Sequence, residues 1–239
     1  MRHPVVVHLT PLFRSCRTFC VEKLSVLLLW FVPFVFSLSF HECAHAWTAN
    51  RYGDPTAKFL GRLTLNPLSH ADMIGTILFP LISFITGFPL IGWAKPVPVN
   101  ERNLKTPRRD AILVAAAGPV SNLILALAFT VVFYLLNRMS GFSGASINAG
   151  FMVQEPLMVM AIFGIRLNVT LALFNLLPLP PLDGGRVAAG FFPSFAYHFS
   201  VMERYGSFIL LLLLYTRVVD ILVFVPSQIF SQFLMGFAV

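Results

Sequence analysis

An apolar run without a single charged residue, Leu24 to Phe40, ends in His41-Glu42-Cys43-Ala44-His45. On a helix, residues four apart lie about 40° apart on one face and roughly 6 Å apart along the axis. Two imidazoles so placed can hold one metal ion. Glu42 projects about 100° round the helix, near enough to reach a water at that metal without being forced into the ligand set. The spacing is the His-Glu-x-x-His arrangement that holds zinc in metallohydrolases. Its setting sharpens the reading. An unpaired carboxylate in a membrane-grade helix costs about 2.5 kcal/mol or more, so ionisable groups beside such a run mark a functional site. Cys43 lies about 200° from His41 and reads as a small packing residue, not a ligand.

Composition says where such a helix sits. Of 239 residues, 57% are hydrophobic and 11% charged, against about 25% charged in soluble domains. The expectation is an all-α polytopic membrane protein, with about 4–6 membrane helices around an intramembrane zinc site. A single integral-membrane domain covers 1–239, with its core at 21–186. The net charge of +7 does not point to nucleic acid, because the basic residues cluster in loops flanking apolar segments, as topology requires. The partner implied is the lipid bilayer. Cys16, Cys20 and Cys43 offer no disulfide framework.

Residues 1–20 carry Arg2, Arg14 and Arg17 like the start of a signal peptide, but no small-residue cleavage site follows, so no cleavage is expected. The first membrane helix is expected over about 21–50, with Pro33 a candidate kink and Gly53-Asp54-Pro55 its stop. Partial alternation over 56–68 predicts two short β-strands at the membrane face. His70 and Asp72 read as a helix N-terminus, with Asp72 near a capping position. The apolar stretch 74–93 is interrupted by Gly75, Pro80, Gly87, Pro89 and Gly92. Further membrane helices are expected over 110–137, 156–177 and 206–226, and an interfacial helix over 226–239. Asn122, in the small-residue run AAAGPVSNL, is a buried polar group in need of a partner.

Two histidines need a third protein ligand. Of the ten acidic residues, Asp183 has the best context. It follows a membrane helix broken by Pro178, Pro180 and Pro181, and Gly184-Gly185 permits close backbone approach. Irregular backbone at membrane depth is tolerated only where buried in protein or lining a wet cavity. The other reading of Asp183 is a turn residue in an Asp-Gly pair, which leaves Asn175 and the three prolines without a purpose.

With these residues in view, the chain resembles the site-2 protease family of intramembrane zinc metalloproteases. HECAH matches its first motif, and Asn175 to Gly184 fills Asn-x-x-Pro-x-Pro-x-Leu-Asp-Gly at every fixed position. Ala117-Gly118-Pro119 with Asn122, and GWAKPVPVN at 92–100, resemble further family segments, so the likeness spans about 37–186. It implies one Zn²⁺ per chain held by His41, His45 and Asp183, Glu42 as catalytic base, and Asn175 and Asn122 facing substrate or intermediate. It also implies transmembrane protein substrates, such as single-span stubs left by an earlier cut. The PDZ and nucleotide-sensing domains of many relatives have no counterpart here, so a minimal form is expected.

The ligands must meet, so the end of the first helix and the turn after Leu182 belong on one side. Ten of the 17 Lys and Arg residues fall in the connections at 51–72, 94–109 and 184–205, and five at the opposite ends. The positive-inside rule puts the first group in the cytoplasm, against the basic N-terminus, and the setting expected is a bacterial cell membrane. It also requires 74–93 to begin and end on one side, as a re-entrant hairpin broken near Pro80 or Gly87. A plain spanning helix is the competitor.

The function expected is hydrolysis of peptide bonds within or near transmembrane segments. A substrate helix must unwind first, and strands in 56–68 or 94–99 could pair with it. The alternative is a membrane metal-ion transporter, or a metal-binding membrane protein without protease activity. Transporters spread ligands over several spans, usually with internal repeats, and have no use for Glu42. A histidine-cluster lipid oxidase needs more ligands than the six His arrange, and a prenyl-protein-processing protease would want Glu where Asp183 stands.

Overall fold

The computed structural model describes residues 10–86, 92–142, 149–192, 194 and 196–237. Among the described residues, three helices are long and apolar enough to cross a membrane: Ser25–Tyr52 within α1 (Thr10–Tyr52), Pro107–Met139 within α4 (Pro107–Phe142), and Gln154–Asn175 within α5 (Ala149–Asn175). A fourth span is formed if the bent pair after α6 counts as one. The chain is a multi-pass, helical membrane protein.

Helix α1 starts earlier than its apolar run, at Thr10. It runs on through Pro33. Gly53 stops it with a φ of 113° while the Asp54 N–H closes onto Ala49 O at 2.9 Å, a left-handed exit that favours glycine. Asp54 then ties the helix end to a later loop. Fully buried, its carboxylate accepts from the Thr56 hydroxyl, the Asn103 amide, the Asn100 N–H and the Thr56 N–H. Burial pushes this carboxyl up, but those hydrogen bonds more than offset it and hold it below its usual value. The clamp is therefore present above the unfolded-state pKa of about 4 and is lost only as pH falls through the lowered folded value.

No β-strand occurs among the described residues. Residues 56–68 instead hold a single helical turn, α2 (Thr56–Phe59), and a 3₁₀ turn at Pro67–Ser69. Residues 92–100 are extended but form no ladder. Pro96 and Pro98 carry no N–H to donate to one. The N–H groups of Trp93, Lys95 and Val97 go to Gly75 O, His70 O and Glu42.

Asp72 caps α3 (Met73–Thr86), accepting from Ile74 N–H and Gly75 N–H. At 1.5 Å per residue this helix is about 20 Å long, short of the roughly 30 Å hydrocarbon core. Its return is stitched to its start: Trp93 N–H reaches Gly75 O at 3.1 Å and Thr76 Oγ1 reaches Trp93 O at 2.8 Å. The segment is thus a hairpin with both ends together, not a spanning helix. The helix continues through Pro80 to Thr86, and the expected alternative break at Gly87 lies outside the described residues.

Helix α4 returns antiparallel beside α1, its start fixed by Lys105 N–H to Tyr52 O at 3.1 Å. After α5, a turn leads into α6 (Asp183–Phe191), whose C-terminal carbonyls accept from Arg108 at the start of α4. The single helix expected over 206–226 is broken. Helix α7 (Ala196–Tyr215) ends before Arg217, at φ 58°, and the arms on either side bend by 81°. The tail is a bundle member, not an interfacial helix. In α8 (Val225–Gly236), Ser227, Ser231 and Leu234 are buried, and Leu234 packs with Ile165 and Val169 of α5. The Ser227 hydroxyl donates to Phe224 O, just before the helix, and the Ser231 hydroxyl to Ser227 O, so that face can be buried without orphaned donors.

Candidate metal centre

His41 and His45 lie on one face of α1, about 16 and 10 Å of helical rise before its end at Tyr52. Both are buried. The first residue of α6 brings Asp183 to them, so the three residues offer one ligand atom each in a single cluster. The turn before α6 is drawn tight, with a cis peptide between Pro180 and Pro181. A Cβ on Gly184 would meet Leu177 O at 2.3 Å, which is why the motif ends in glycine. Helix α7 presses on the same turn, where a Cβ on Gly206 would stand 2.1 Å from Pro180 O.

His41 Nδ1 lies 2.5 Å from Asn122 Oδ1, and His45 Nδ1 lies 2.7 Å from Val114 O. A carbonyl oxygen only accepts, so each ring carries a proton on Nδ1 and donates it there. In the neutral rings both Nε2 atoms are left as lone pairs. They face one another at 3.1 Å, and they face Asp183 Oδ2 at 3.2 and 3.3 Å. That oxygen is buried without a hydrogen-bond partner. Three lone pairs converging with no proton between them repel unless a cation sits among them. Ligand atoms about 2.0–2.2 Å from a tetrahedral zinc stand roughly 3.3–3.6 Å apart, a few tenths of an ångström from the sides of this triangle, so it fits this ion. The cation that the triangle fits would also hold the Asp183 carboxyl in its ionised form, as an anionic ligand.

Glu42 shares with these ligands a cavity of about 700 Å³. Pro96, Val97, Pro98 and Val99 also line this space, and the exposed Glu101 and Arg186 connect it to the surface. Val97 N–H donates to Glu42 Oε2 at 2.9 Å, which orients the carboxylate from the extended segment.

Of the remaining expected residues, Asn175 lines the cavity, its Nδ2 donating to Leu171 O at 3.0 Å. Asn122 does not line it. Fully buried, it holds His41 through Oδ1 and donates through Nδ2 to Asn168 Oδ1 at 2.8 Å. Both ends of its amide are engaged behind His41, away from the cavity. His70 is buried at the base of the hairpin, with Nε2 2.8 Å from Thr64 O, outside the metal cluster.

Three residues of α4 were not expected from their own chemistry to matter together. Val114, Gly118 and Asn122 are spaced by four and so form one stripe. Its outer two members receive the two histidine protons. Between them, a Cβ on Gly118 would lie 2.3 Å from His45 Nε2 and 2.6 Å from His41 Nε2. The bare glycine is what lets α4 come close enough to serve both rings. The four-residue spacing was visible in the sequence, but a backbone acceptor at Val114 is not.

A family model described as Peptidase family M50 matches residues 29–215. A Bacillus subtilis (strain 168) protein, "Putative zinc metalloprotease YwhC", is 43% identical over 199 residues, covering 83% of this chain and 85% of that one. Rip2 of Mycolicibacterium smegmatis, which carries the same description, is 30% identical over 200 residues, 82% of this chain and 70% of that protein. MJ0611 of Methanocaldococcus jannaschii, again so described, is 29% identical over 62% of each chain. No solved structure matches the chain. The buried His-His-Asp triangle, the cavity it shares with Glu42 and the match over most of the length agree: the chain belongs to peptidase family M50, the site-2 protease family.

Proposed function

We propose that this protein is a zinc endopeptidase that hydrolyses peptide bonds within or beside the spans of other membrane proteins. The observation that carries the proposal is the triangle of His41, His45 and Asp183, set more than a helical turn below the end of α1 and opening into the cavity of Glu42. His41, His45 and Asp183 would hold the zinc. Bound there, it supplies a Lewis acid that polarises the scissile carbonyl and acidifies water. Glu42 takes the proton of the attacking water and returns it to the leaving amine. Val97 N–H holds Glu42 in place for both transfers. Asn175 lines the same space, which supports a role in contacting the substrate. Roles for a transmembrane substrate follow from cost: an unwound backbone is tolerated at membrane depth only inside protein or a wet cavity, and this cavity provides that. The test is reconstitution with single-span substrates and mapping of the cut by mass spectrometry. Cuts should fall within or beside the span and vanish on chelation. Cuts confined to loops far from the bilayer would overturn the reading.

We also propose that the ligand-bearing end of α1 faces the cytoplasm of a bacterial cell. The support is the excess of Lys and Arg in the connections on that side. Contact between Asn103 and Asp54, at 2.9 Å, joins two of those connections. Cysteines placed at Leu60 and Asn103, both exposed, are expected to react with an impermeant maleimide from the cytoplasmic face alone. Labelling from opposite faces would contradict the hairpin, and labelling of both from outside would contradict the orientation.

A further inference from the structure

Asn168 sits fully buried within α5, seven residues before the motif that carries Asp183, and touches neither ligand nor cavity. Its amide has three partners. Nδ2 donates to Gly164 O and to Ser37 Oγ, both at 2.8 Å, and Oδ1 accepts from Asn122 Nδ2 at 2.8 Å. An asparagine amide can be turned over, exchanging its donor and acceptor ends. What fixes this one is the partner that cannot adapt. Gly164 O is a backbone carbonyl and only accepts, so Nδ2 of Asn168 must face it. Oδ1 of Asn168 then faces Asn122, which must present Nδ2 there and Oδ1 to His41. His41 must in turn carry its proton on Nδ1, and its lone pair on Nε2 is left for the metal.

We infer that Asn168 is a positioning residue that fixes the tautomer of His41 through Asn122, so that hydrogen-bond polarity set by one backbone carbonyl of α5 is passed to the metal centre. The inference rests on the metal reading of the triangle. The competing state is specific. With the Asn122 amide turned over, His41 would accept from Asn122 at Nδ1 and donate from Nε2 to Asp183, 3.2 Å away. That state satisfies the ring and the carboxylate while blocking two of the three ligand atoms. In the present network it would set Asn122 Oδ1 against Asn168 Oδ1, two acceptors in a buried, low-dielectric place where an unmade bond is most costly. Ser37 plays no part in the polarity, because its hydroxyl can donate or accept and Gly164 O alone orients Asn168.

The experiment compares the purified full chain with Asn168→Leu and Ser37→Ala. The readouts are zinc affinity by competition with a chelator, and thermal unfolding of the metal-free protein. Asn168→Leu keeps the side chain's approximate shape but cannot accept from Asn122. It is expected to bind zinc roughly 10–100-fold more weakly, the usual loss when a ligand's outer partner is removed. Ser37→Ala removes a partner from the same network and should keep zinc affinity within about threefold, since the orientation persists. A network that merely glues α1, α4 and α5 would lower the unfolding temperature in both and leave affinity alike in the two. Wild-type affinity in a folded Asn168→Leu, or equal losses in both variants, would overturn the inference. A second measurement needs no variant to fold and no metal. In metal-free wild-type protein, at a pH where the ring is neutral, ¹⁵N chemical shifts should show His41 protonated on Nδ1. Protonation on Nε2 would overturn the inference whatever the chain does with zinc, while failure of the wild type to bind zinc would overturn the metal reading instead.

Discussion

Glu42→Gln is expected to leave zinc at about one per chain and to lower cleavage by roughly the 10²–10⁴-fold typical of lost acid–base catalysis. The substitution keeps size and shape and removes only charge and basicity. Glu42 is not among the atoms of the metal triangle, so the ion is held as before. The amide oxygen of Gln can still accept from Val97 N–H, so the extended segment stays where it is. What is lost is the group that takes the proton from water. Zinc content and cleavage rate measured on one preparation separate the two effects. Wild-type cleavage by a zinc-loaded Glu42→Gln protein would falsify the assignment of Glu42 as the base.

Gly118→Ala is expected to remove most of the zinc, although the residue is no ligand. In an ordinary helix interior this change is stabilising by up to about 1 kcal/mol, because glycine is the poorer helix former. Here the new methyl would stand 2.3 Å from His45 Nε2 and 2.5 Å from His41 Cε1. Carbon atoms do not approach so closely, and neither ring can retreat without giving up its Nδ1 hydrogen bond to α4. Metal analysis should show well under one zinc per chain in a protein whose helix content is intact. Full zinc occupancy in Gly118→Ala would mean that α4 stands further from the ligands than the structure places it.

The sequence singled out the three residues that the fold brings together because each part rests on a short-range rule. Four-residue spacing puts His41 and His45 on one face, and the prolines and glycines around Asp183 announce a tight turn at the end of a membrane helix. What it missed lies between distant segments. Asn122 was legible as a polar group needing a partner, but the direction it faces depends on how α4 packs, and it turns behind His41 instead of into the cavity. Its partner Asn168 lies 46 residues on, with nothing in either neighbourhood to announce the contact. Val114 acts through its backbone carbonyl, which any residue would supply. The strands expected in 56–68 failed for a related reason, since alternation marks a strand only where another edge is present to pair with it. A strand was expected over 94–99 as well, although Pro96 and Pro98 carry no N–H to donate to a ladder. The hairpin at 74–93 was legible from charge, because its flanks had to share a side; its closure by Trp93 on Gly75 and Thr76 was not.

His41, His45 and Asp183 are expected together to hold one catalytic zinc inside the helical bundle. Zinc stoichiometry of the purified wild-type and Asp183→Ala proteins tests it most directly. Without Asp183, two imidazole lone pairs face each other with no anionic ligand, and a pair of histidines underholds the ion. The account predicts about one zinc per chain in the wild type and little or none in Asp183→Ala, at unchanged helix content. Full zinc in Asp183→Ala would contradict it, reducing Asp183 to a turn residue and leaving the third ligand elsewhere.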